Sequence, residues 1–502
     1  MRFQRSSIMF LVKGRSFHSR YNPKKEAERQ LGLFLSTNPG GSLLFLFNPG
    51  ENHLAEVAAD QGLRSVSLYI KGWGYPYRVR IGRWDREFSD TDSLLNWIDP
   101  RLPLILLLSP RFFFHPSYLS IDVEEAHLFR ASFSKLLVAK KRELFTSGFF
   151  SNAYKRNFLK NFILRTTNST SSISRFFPPE KVPCIVASGP SLEKYKEMLK
   201  RERPKLFLIS LPSSVSFLEA INLEPDCIVT TDPGYWAGLS LDFLPTSWNC
   251  PIFACPTSCL GTGKRIAGNR TVLFSQNTAI EEVALSLKGL DEMDQVPERG
   301  TVAATAMELV LSFTEGFCLF IGFDLDATQQ SSHVHPHPFD PFFLQGTNRF
   351  IPFETRLYER GVRSQESLEH YKNWFRLHRK SWDGRVFSLD SGSALGWPKT
   401  PVLPALSQIP LGEPTPLPSR IEMGKRCSFS DYQAEARSFE EDPLNWILTS
   451  KATGSPRVDE FLIQNNFFEL KNYLLDPEKG GSWTPSQALL DFSTYFSQES
   501  AE

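Results

Sequence analysis

Short apolar runs recur along the chain, each closed by a turn and followed by residues at helical spacing. Leu43 to Phe47 reads as a buried strand ending at the turn Asn48-Pro49-Gly50. Leu54, Val57 and Ala58 give the next stretch a helical face, Val66 to Ile70 reads as a second strand, and Leu104 to Leu108 reads as a third, ending at Ser109-Pro110. Strand, helix and strand in repetition predict a parallel sheet. From about residue 120 to 175 the pattern turns polar and helical, which suits a connector.

A second α/β series follows, with sharper punctuation. Cys184 to Ala187 predicts a strand, Ser188-Gly189-Pro190-Ser191 a turn, and Leu192 to Leu199 a helix. Leu206 to Ser210 is the next strand, Ser213 to Ala220 a helix, and Cys227 to Thr231 a strand closed by Asp232-Pro233-Gly234. Thr301 to Phe313 has helix spacing, and Phe317 to Ile321 is a strand that stops at Gly322. These pieces assemble as a right-handed, doubly wound parallel sheet. Pro398 to Pro418 is rich in proline and reads as a semi-rigid linker. Helical patterns at Tyr432 to Arg437, Val458 to Phe468 and Ser486 to Phe496 come after it. The expected organisation is an N-terminal α/β domain over 1–150, a helical connector over 151–180, a Rossmann-like domain over 181–400, and a linker with C-terminal helices over 401–502.

Composition narrows the classes. Lys and Arg number 56 against 55 Asp and Glu, a formal charge of +1, which argues against a general nucleic-acid or membrane-surface binder. The sequence shows no run approaching the roughly 18–20 apolar residues of a membrane span. The N-terminal run Ile8 to Val12 stops at Lys13, short of a signal-peptide core. Seven cysteines, an odd number, fit a reducing compartment, so a cytoplasmic location is expected. The 42 phenylalanines point to aromatic cores.

Candidate chemistry sits at the ends of the second series of strands. Ser188, Gly189, Pro190 and Ser191 form a turn between strand and helix, where an open sheet binds ligands and where helix N–H groups favour a phosphate. The same residues also describe a plain capped turn. Asp232 leaves another strand tip and would serve either a ligand or the turn itself, with Tyr235 and Trp236 beside it to stack on a ring or to close the core. Asp324-Leu325-Asp326 resembles a metal-chelating carboxylate pair, although no metal site is assigned. His333, His335 and His337 alternate in a Ser- and Pro-rich loop, where they would bind zinc, supply a base near neutral pH, or simply face solvent. Cys250, Cys255 and Cys259 lack the paired spacing of structural zinc. A P-loop, a Gly-x-Ser-x-Gly elbow and a His-Glu-x-x-His helix are all missing from the sequence.

Taken in order, Ile185 to Leu192, Thr231-Asp232-Pro233, Gly300-Thr301-Val302-Ala303, Ile321 to Leu325, and Val386 to Ala394 resemble the central domain of the motility accessory factor (MAF) proteins. That domain is of the 6-hydroxymethylpterin diphosphokinase MptE-like type. The likeness covers about 180–400 and extends more weakly to the first domain through His18 to Pro23 and Leu46 to Leu54. In that first domain Lys71 follows the second strand where an acidic ribose ligand would stand.

The resemblance implies a glycosyltransferase that moves a nonulosonic, sialic-acid-like sugar from a CMP donor to Ser or Thr of flagellin. By carry-over, Gly189, Pro190 and Ser191 contact donor phosphate and ribose, with Ser188 and Thr301 in the same binding set. Asp232 borders the nucleotide, Asp324 shapes the sugar site, and Ser391, Gly392 and Ser393 close the pocket. One of His333, His335 and His337 takes the acceptor proton. No cofactor is required in this reading. The partners are flagellin and the CMP-linked acidic sugar. Two alternatives stand beside it: an ATP- and Mg-dependent pyrophosphotransferase of the pterin type, and a non-catalytic flagellar assembly scaffold.

Overall fold

The structure, a computed structural model, describes residues 11–12, 15–41, 43–70, 77–81, 84–121, 123–166, 173–261, 271–288, 293–314, 317–325, 332–382, 384–389, 428–449, 458–475 and 483–498. The chain divides into two compact units, one of residues 1–151 with 429–495 and one of 152–428 with 496–502.

The first unit opens with an antiparallel pair, β1 (Leu11–Val12) and β2 (Arg15–Ser16), and the helix α1 (Pro23–Thr37), capped by the Asn22 side chain on the Lys25 N–H. Then come β3 (Leu43–Phe47), α2 (His53–Asp60), β4 (Arg64–Tyr69), β5 (Tyr77–Ile81), β6 (Trp84–Phe88), α3 (Thr91–Ile98), α4 (Leu102–Leu107) and β7 (Arg111–Phe114). The sheet order is β6-β5-β4-β3-β7, with β4 and β7 parallel to the central β3 and β5 and β6 antiparallel at one edge. All five residues of β3 are buried because both faces are covered. On one face Leu44 and Leu46 pack with Ala27, Leu31, Leu54 and Val57 of α1 and α2. On the other, Phe47 stacks on Phe114 at 4.4 Å and meets Phe133 at 5.0 Å, so the phenylalanine-rich composition fills this layer.

One expectation fails here. Leu104 to Leu108 is helix rather than strand, and the strand is the next apolar run, β7. A short run buried all round has no periodicity to separate the two. Pro103 decides it: proline is at home in a helix's first turn and costs a central strand a ladder donor. The helices α5 (Pro116–Ile121) and α6 (Val123–Thr166) follow. The latter spans 44 residues and carries the expected polar helical stretch, and the break between units falls within it at 151/152.

The second unit is the doubly wound sheet. Its elements are β8 (Val182–Val186), α7 (Lys196–Glu202), β9 (Leu206–Ser210), α8 (Val215–Ala220), β10 (Cys227–Thr230), α9 (Tyr235–Asp242), β11 (Ile252–Ala254), β12 (Thr271–Leu273), α10 (Ala279–Lys288), α11 (Val302–Phe313), β13 (Cys318–Ile321), α12 (Asp340–Gln345), α13 (Phe353–His378) and β14 (Val386–Ser388). Seven strands run parallel in the order β12-β11-β10-β9-β8-β13-β14. The order reverses between β8 and β13, which makes that pair the switch point where such sheets open a crevice. Alternate strand residues enter two cores. Ile185, Ile209 and Val229 meet Ala306, Met307 and Val310 of α11 on one side. Cys184, Leu208 and Ile228 meet Leu199, Val215, Phe217 and Leu241 on the other.

Among the described residues that follow are five helices: α14 (Phe429–Glu441), α15 (Pro443–Thr449), α16 (Val458–Asn465), α17 (Phe467–Leu475) and α18 (Pro485–Gln498). The sequence sets 401–502 apart as a region of its own, but residues 429–495 belong to the first unit. Arg64 reaches Asp442 at 3.1 Å, and Gly148 lies where any Cβ would meet the Phe467 ring, so these helices are part of that unit's packing. The proline-rich 398–418 segment lies outside the described residues.

Candidate functional site

The switch point is built by β8 and β13 leaving the sheet side by side. The Ala187 N–H donates to the Ile321 carbonyl at 2.9 Å, and the Gly189 N–H donates to the Gly322 carbonyl at 2.7 Å, so pairing continues one step beyond the strands. Two glycines permit the approach. A Cβ on Gly189 would meet the Asp324 carboxylate and the Gly322 carbonyl, and Gly322 has a φ of +69° with the Ala187 carbonyl 2.7 Å from its would-be Cβ. The Ser191 N–H then donates to Asp324 Oδ2 at 2.8 Å.

The Gly189-Pro190-Ser191 corner is thus closed from inside. The two amides expected to hold a donor phosphate already serve Gly322 and Asp324, and Asp324 brings a carboxylate to the place assigned to an anion. Pro190 opens a six-residue 3₁₀ turn followed by a seven-residue helix, too short a run to build a strong dipole. Ser191 Oγ is buried and without a hydrogen-bond partner among the described residues. Asp326, the other half of the carboxylate pair, lies outside the described residues, as do Lys71, Ser391, Gly392 and Ser393.

The histidine loop lies over the same corner. Ser188, 6% exposed, has its Oγ 3.0 Å from His333 Nδ1, and the Val334 N–H donates to the Ser188 carbonyl at 2.7 Å. His333 stacks on His337 with centroids 4.6 Å apart. His337 is 2% exposed, and its Nδ1 accepts from the Phe339 N–H at 3.2 Å, which fixes that ring as a packed group. His335 turns to Asp340, Nδ1 to Oδ2 at 2.8 Å, and the same oxygen accepts the His337 N–H at 2.7 Å. One carboxylate therefore organises the loop. The three imidazoles have three different neighbours, and no group of ligands fit to hold a metal occurs among the described residues.

Asp232 stands at the tip of β10. Its Oδ1 accepts the Gly234 N–H at 2.6 Å, so part of its role is the turn, but the residue is exposed. Burial, with smaller contributions from the charges of Glu298, Cys255 and Asp232, pushes the Tyr154 phenol up, and burial with Asp232 does the same to Tyr371. Thr301 caps α11, its Oγ1 accepting the Ala304 N–H at 3.1 Å. Because α11 runs back to enter β13, its N-terminus lies at the carboxyl edge of the sheet.

Residues that the motifs did not reveal hold this edge in place. Asn157 Nδ2 donates to the carbonyls of Pro233 at 3.0 Å and Thr257 at 3.1 Å. Asn161 Nδ2 donates to those of Pro256 and Ser258, each at 2.8 Å. Four residues apart on α6, the two amides clamp the loops after β10 and β11. Their i, i+4 spacing was the available signal, but it names no partner. Glu281 is wholly buried. Its Oε2 accepts from Ser275 Oγ at 2.8 Å, the Gln276 N–H at 3.0 Å and the Thr278 N–H at 3.2 Å, and burial pushes its carboxyl up to about 7. Thr278-Ala-Ile-Glu281 has the spacing of a capping box, a signal the sequence offered.

Part of the chain is similar to a known family. Residues 156–330 match the family model described as 6-hydroxymethylpterin diphosphokinase MptE-like. Among solved structures, the chain is similar to the MAf glycosyltransferase of Magnetospirillum magneticum AMB-1, with 11% identity and a TM-score of 0.46 over 95% of this chain and 82% of that one. No curated protein matches the sequence. No helix among the described residues is long and apolar enough to cross a membrane. The matched span begins within α6, beside its two clamping asparagines, and runs past β13 and the switch point, so most of the candidate site lies in the stretch that is similar to the MptE-like model.

Proposed function

We propose that the central unit is a glycosyltransferase that passes a nonulosonic sugar from a CMP donor to a Ser or Thr hydroxyl, with flagellin as the acceptor. The observation that carries this reading is the Ser188–His333 hydrogen bond at the switch point. It places an oriented imidazole where a doubly wound sheet binds its ligand. The match of 156–330 to the MptE-like model and the order of the five motifs support it.

In this scheme the His333 Nδ1–H donates to Ser188 Oγ, which leaves the lone pair on Nε2. The acceptor oxygen attacks the anomeric carbon, its proton passes to His333 Nε2, and the bond from that carbon to the phosphate oxygen breaks with its electron pair leaving on CMP. His337 is buried, and His335 is held at Asp340 rather than at the switch-point serine, so the scheme gives the proton to His333. Thr301 opens α11 toward the donor phosphate, and Asp232 borders the nucleotide. The leaving phosphate is a monoester, whose charge a helix terminus and hydroxyl donors stabilise, so the scheme asks for no metal or other cofactor. The test is incubation of the purified chain with CMP-nonulosonate and flagellin. Release of CMP together with a mass gain of one sugar on flagellin is the expected result. Intact flagellin mass and no CMP release reject it.

A second reading takes its support from the family model's description: pyrophosphate transfer from ATP and Mg to a pterin. Ligands that bind the native state raise its melting temperature. A thermal shift with CMP but none with ATP and Mg favours the sugar transferase, and the reverse favours the pterin enzyme.

A further inference from the structure

The helix α13 starts beside the histidine loop and passes the exit of β13. Its first residue, Phe353, meets the His335 ring at 5.7 Å, and the helix leads through a 3₁₀ turn, Arg379–Trp382, into β14, which runs parallel to β13. A helix that feeds a parallel strand starts at the carboxyl edge of the sheet and ends at the amino edge. Phe375 fixes the level along it: its ring meets Phe323, two residues past β13, edge-on at 5.0 Å. Lys372 lies one turn earlier on the same side of the helix, about 4.5 Å further toward the open edge.

The face that α13 turns inward here is Leu368, Tyr371, Lys372 and Phe375, the i, i+3, i+4, i+7 spacing of a packed helix. A lysine in that row is out of pattern. Lys372 is 7% exposed, and a buried ammonium costs stability unless other groups satisfy it. It has three N–H donors. One goes to Glu369 Oε1 at 3.0 Å, and the other two have no partner among the described residues. Glu369 itself is half exposed, so water weakens its hold. Tyr371, next in the chain, feels the charge of Asp232 at the tip of β10.

A cation at this place matches what the site lacks. The donor of the proposed reaction carries a phosphate and a carboxylate. Ser188, Thr301 and the Gly189 corner are uncharged, Asp232 and Asp324 are carboxylates, and His333 must be neutral to take a proton. None of them offers a fixed positive charge. Lysine suits the part as a point charge on a long, flexible stem, able to turn from Glu369 to an incoming anion. We propose that Lys372 is the cationic contact for an anionic oxygen group of the donor, and that it selects acidic donors for this crevice. The inference rests on the transferase reading for the donor's identity, and its test separates the two.

The full-length chain is titrated calorimetrically with CMP-nonulosonate, with CMP, and with ATP and Mg. Lys372→Met keeps the stem and removes the charge. It should bind CMP-nonulosonate about tenfold or more weakly than wild type, the scale of a lost charged hydrogen bond, and Lys372→Arg should stay within about threefold. Glu369→Gln should bind at least as tightly as wild type, because it releases the lysine. A matching loss for CMP assigns the contact to the phosphate, and a loss confined to CMP-nonulosonate assigns it to the sugar carboxylate. Wild-type affinity in Lys372→Met overturns the inference and leaves the transferase reading standing. A loss in Glu369→Gln equal to that in Lys372→Met also overturns it, because the lysine would then serve only to staple α13. Lys372→Gln is read by the same criteria if Lys372→Met does not unfold cooperatively. If wild type binds ATP with Mg and neither CMP compound, the transferase reading fails, and the effect of Lys372→Met on ATP binding decides the lysine alone. A wild-type chain that binds none of the three overturns both.

Discussion

The Ser191 N–H and Asp324 Oδ2 lie 2.8 Å apart, and this hydrogen bond makes Asp324 the closing member of the Gly189 corner. An aspartate that a motif assigns to sugar recognition here satisfies an amide at the start of a helical turn. The arrangement predicts a stability effect in a definite order. Asp324→Ala should cost about 1–2 kcal/mol, the usual loss for a side chain that caps helical N–H groups. Asp324→Asn keeps an acceptor oxygen and should cost less. Gly189→Ala should cost more than either, since its Cβ would sit against the Gly322 carbonyl 2.5 Å away. Urea unfolding of the three variants checks the ranking. Tighter CMP binding by Asp324→Ala would show instead that the amides wait for a phosphate.

The histidine loop allows a sharper comparison, since its three rings occupy three environments. His333→Gln should lower the transfer rate by roughly 10²–10⁴-fold, the range for loss of a general base. His335→Gln should leave the rate within a few fold of wild type, because its ring is held at Asp340 and not at the switch-point Ser188. Ser188→Ala should fall between them, since it frees the tautomer of His333 without removing the ring. Single-turnover kinetics at saturating donor separates these cases. A His335→Gln effect as large as that of His333→Gln defeats the assignment.

The sheet of the central unit was legible from residues because each of its long strands is an apolar run bounded by glycine, proline or aspartate. Ile185, Ile209, Ile228 and Phe320 lie where the pattern placed them, buried in strands of one parallel sheet. Leu104 to Leu108 was not legible, because an all-apolar run of five carries no period. The corner shows the same limit at the level of chemistry. Gly189-Pro190-Ser191 reads as an open phosphate seat until Asp324, 133 residues after Ser191, is seen to occupy the Ser191 amide. Spacing along the chain gives which groups are near a strand tip. Which of them satisfy one another is a tertiary matter.

Asn157 and Asn161 make a case where a polar residue acts entirely through backbone carbonyls. Each is buried, and each amide nitrogen donates to two carbonyls in the loops that follow β10 and β11. Asn161→Leu should leave two carbonyls unpaired and cost about 1–3 kcal/mol. Asn157→Leu should cost a similar amount and, because one of its partners is Pro233, also displace Asp232. The variant pair is checked by thermal unfolding together with CMP affinity. The expected split is a stability loss in both and a weakened CMP affinity in Asn157→Leu.

Protonation should act on the two units with opposite sign. In the first unit, burial assisted by neighbouring imidazoles lowers His18 to about 4 and His115 to about 3, while the unfolded chain takes these protons near 6.5. The unfolded state then binds more protons across that window, so this contribution to stability is complete above pH 6.5 and lost as pH falls toward 3–4. In the second unit Glu281 is pushed up to about 7 from 4.5, so the folded state holds the extra proton. Its contribution is therefore lost as pH rises from 4.5 through 7. Hydrogen exchange at the Phe45 amide in β3 and the Ile185 amide in β8, corrected for intrinsic rates, reports the opening free energy of each unit separately. Between pH 5 and 7, His115→Gln should flatten the rise in protection at Phe45, and Glu281→Gln should remove a decline at Ile185. The sign at Glu281 is the demanding part. Protection at Ile185 that falls more steeply with pH in Glu281→Gln than in wild type would mean that the buried carboxyl is already ionised in the folded chain, held by the Ser275 hydroxyl and the Gln276 and Thr278 amides more strongly than burial opposes it.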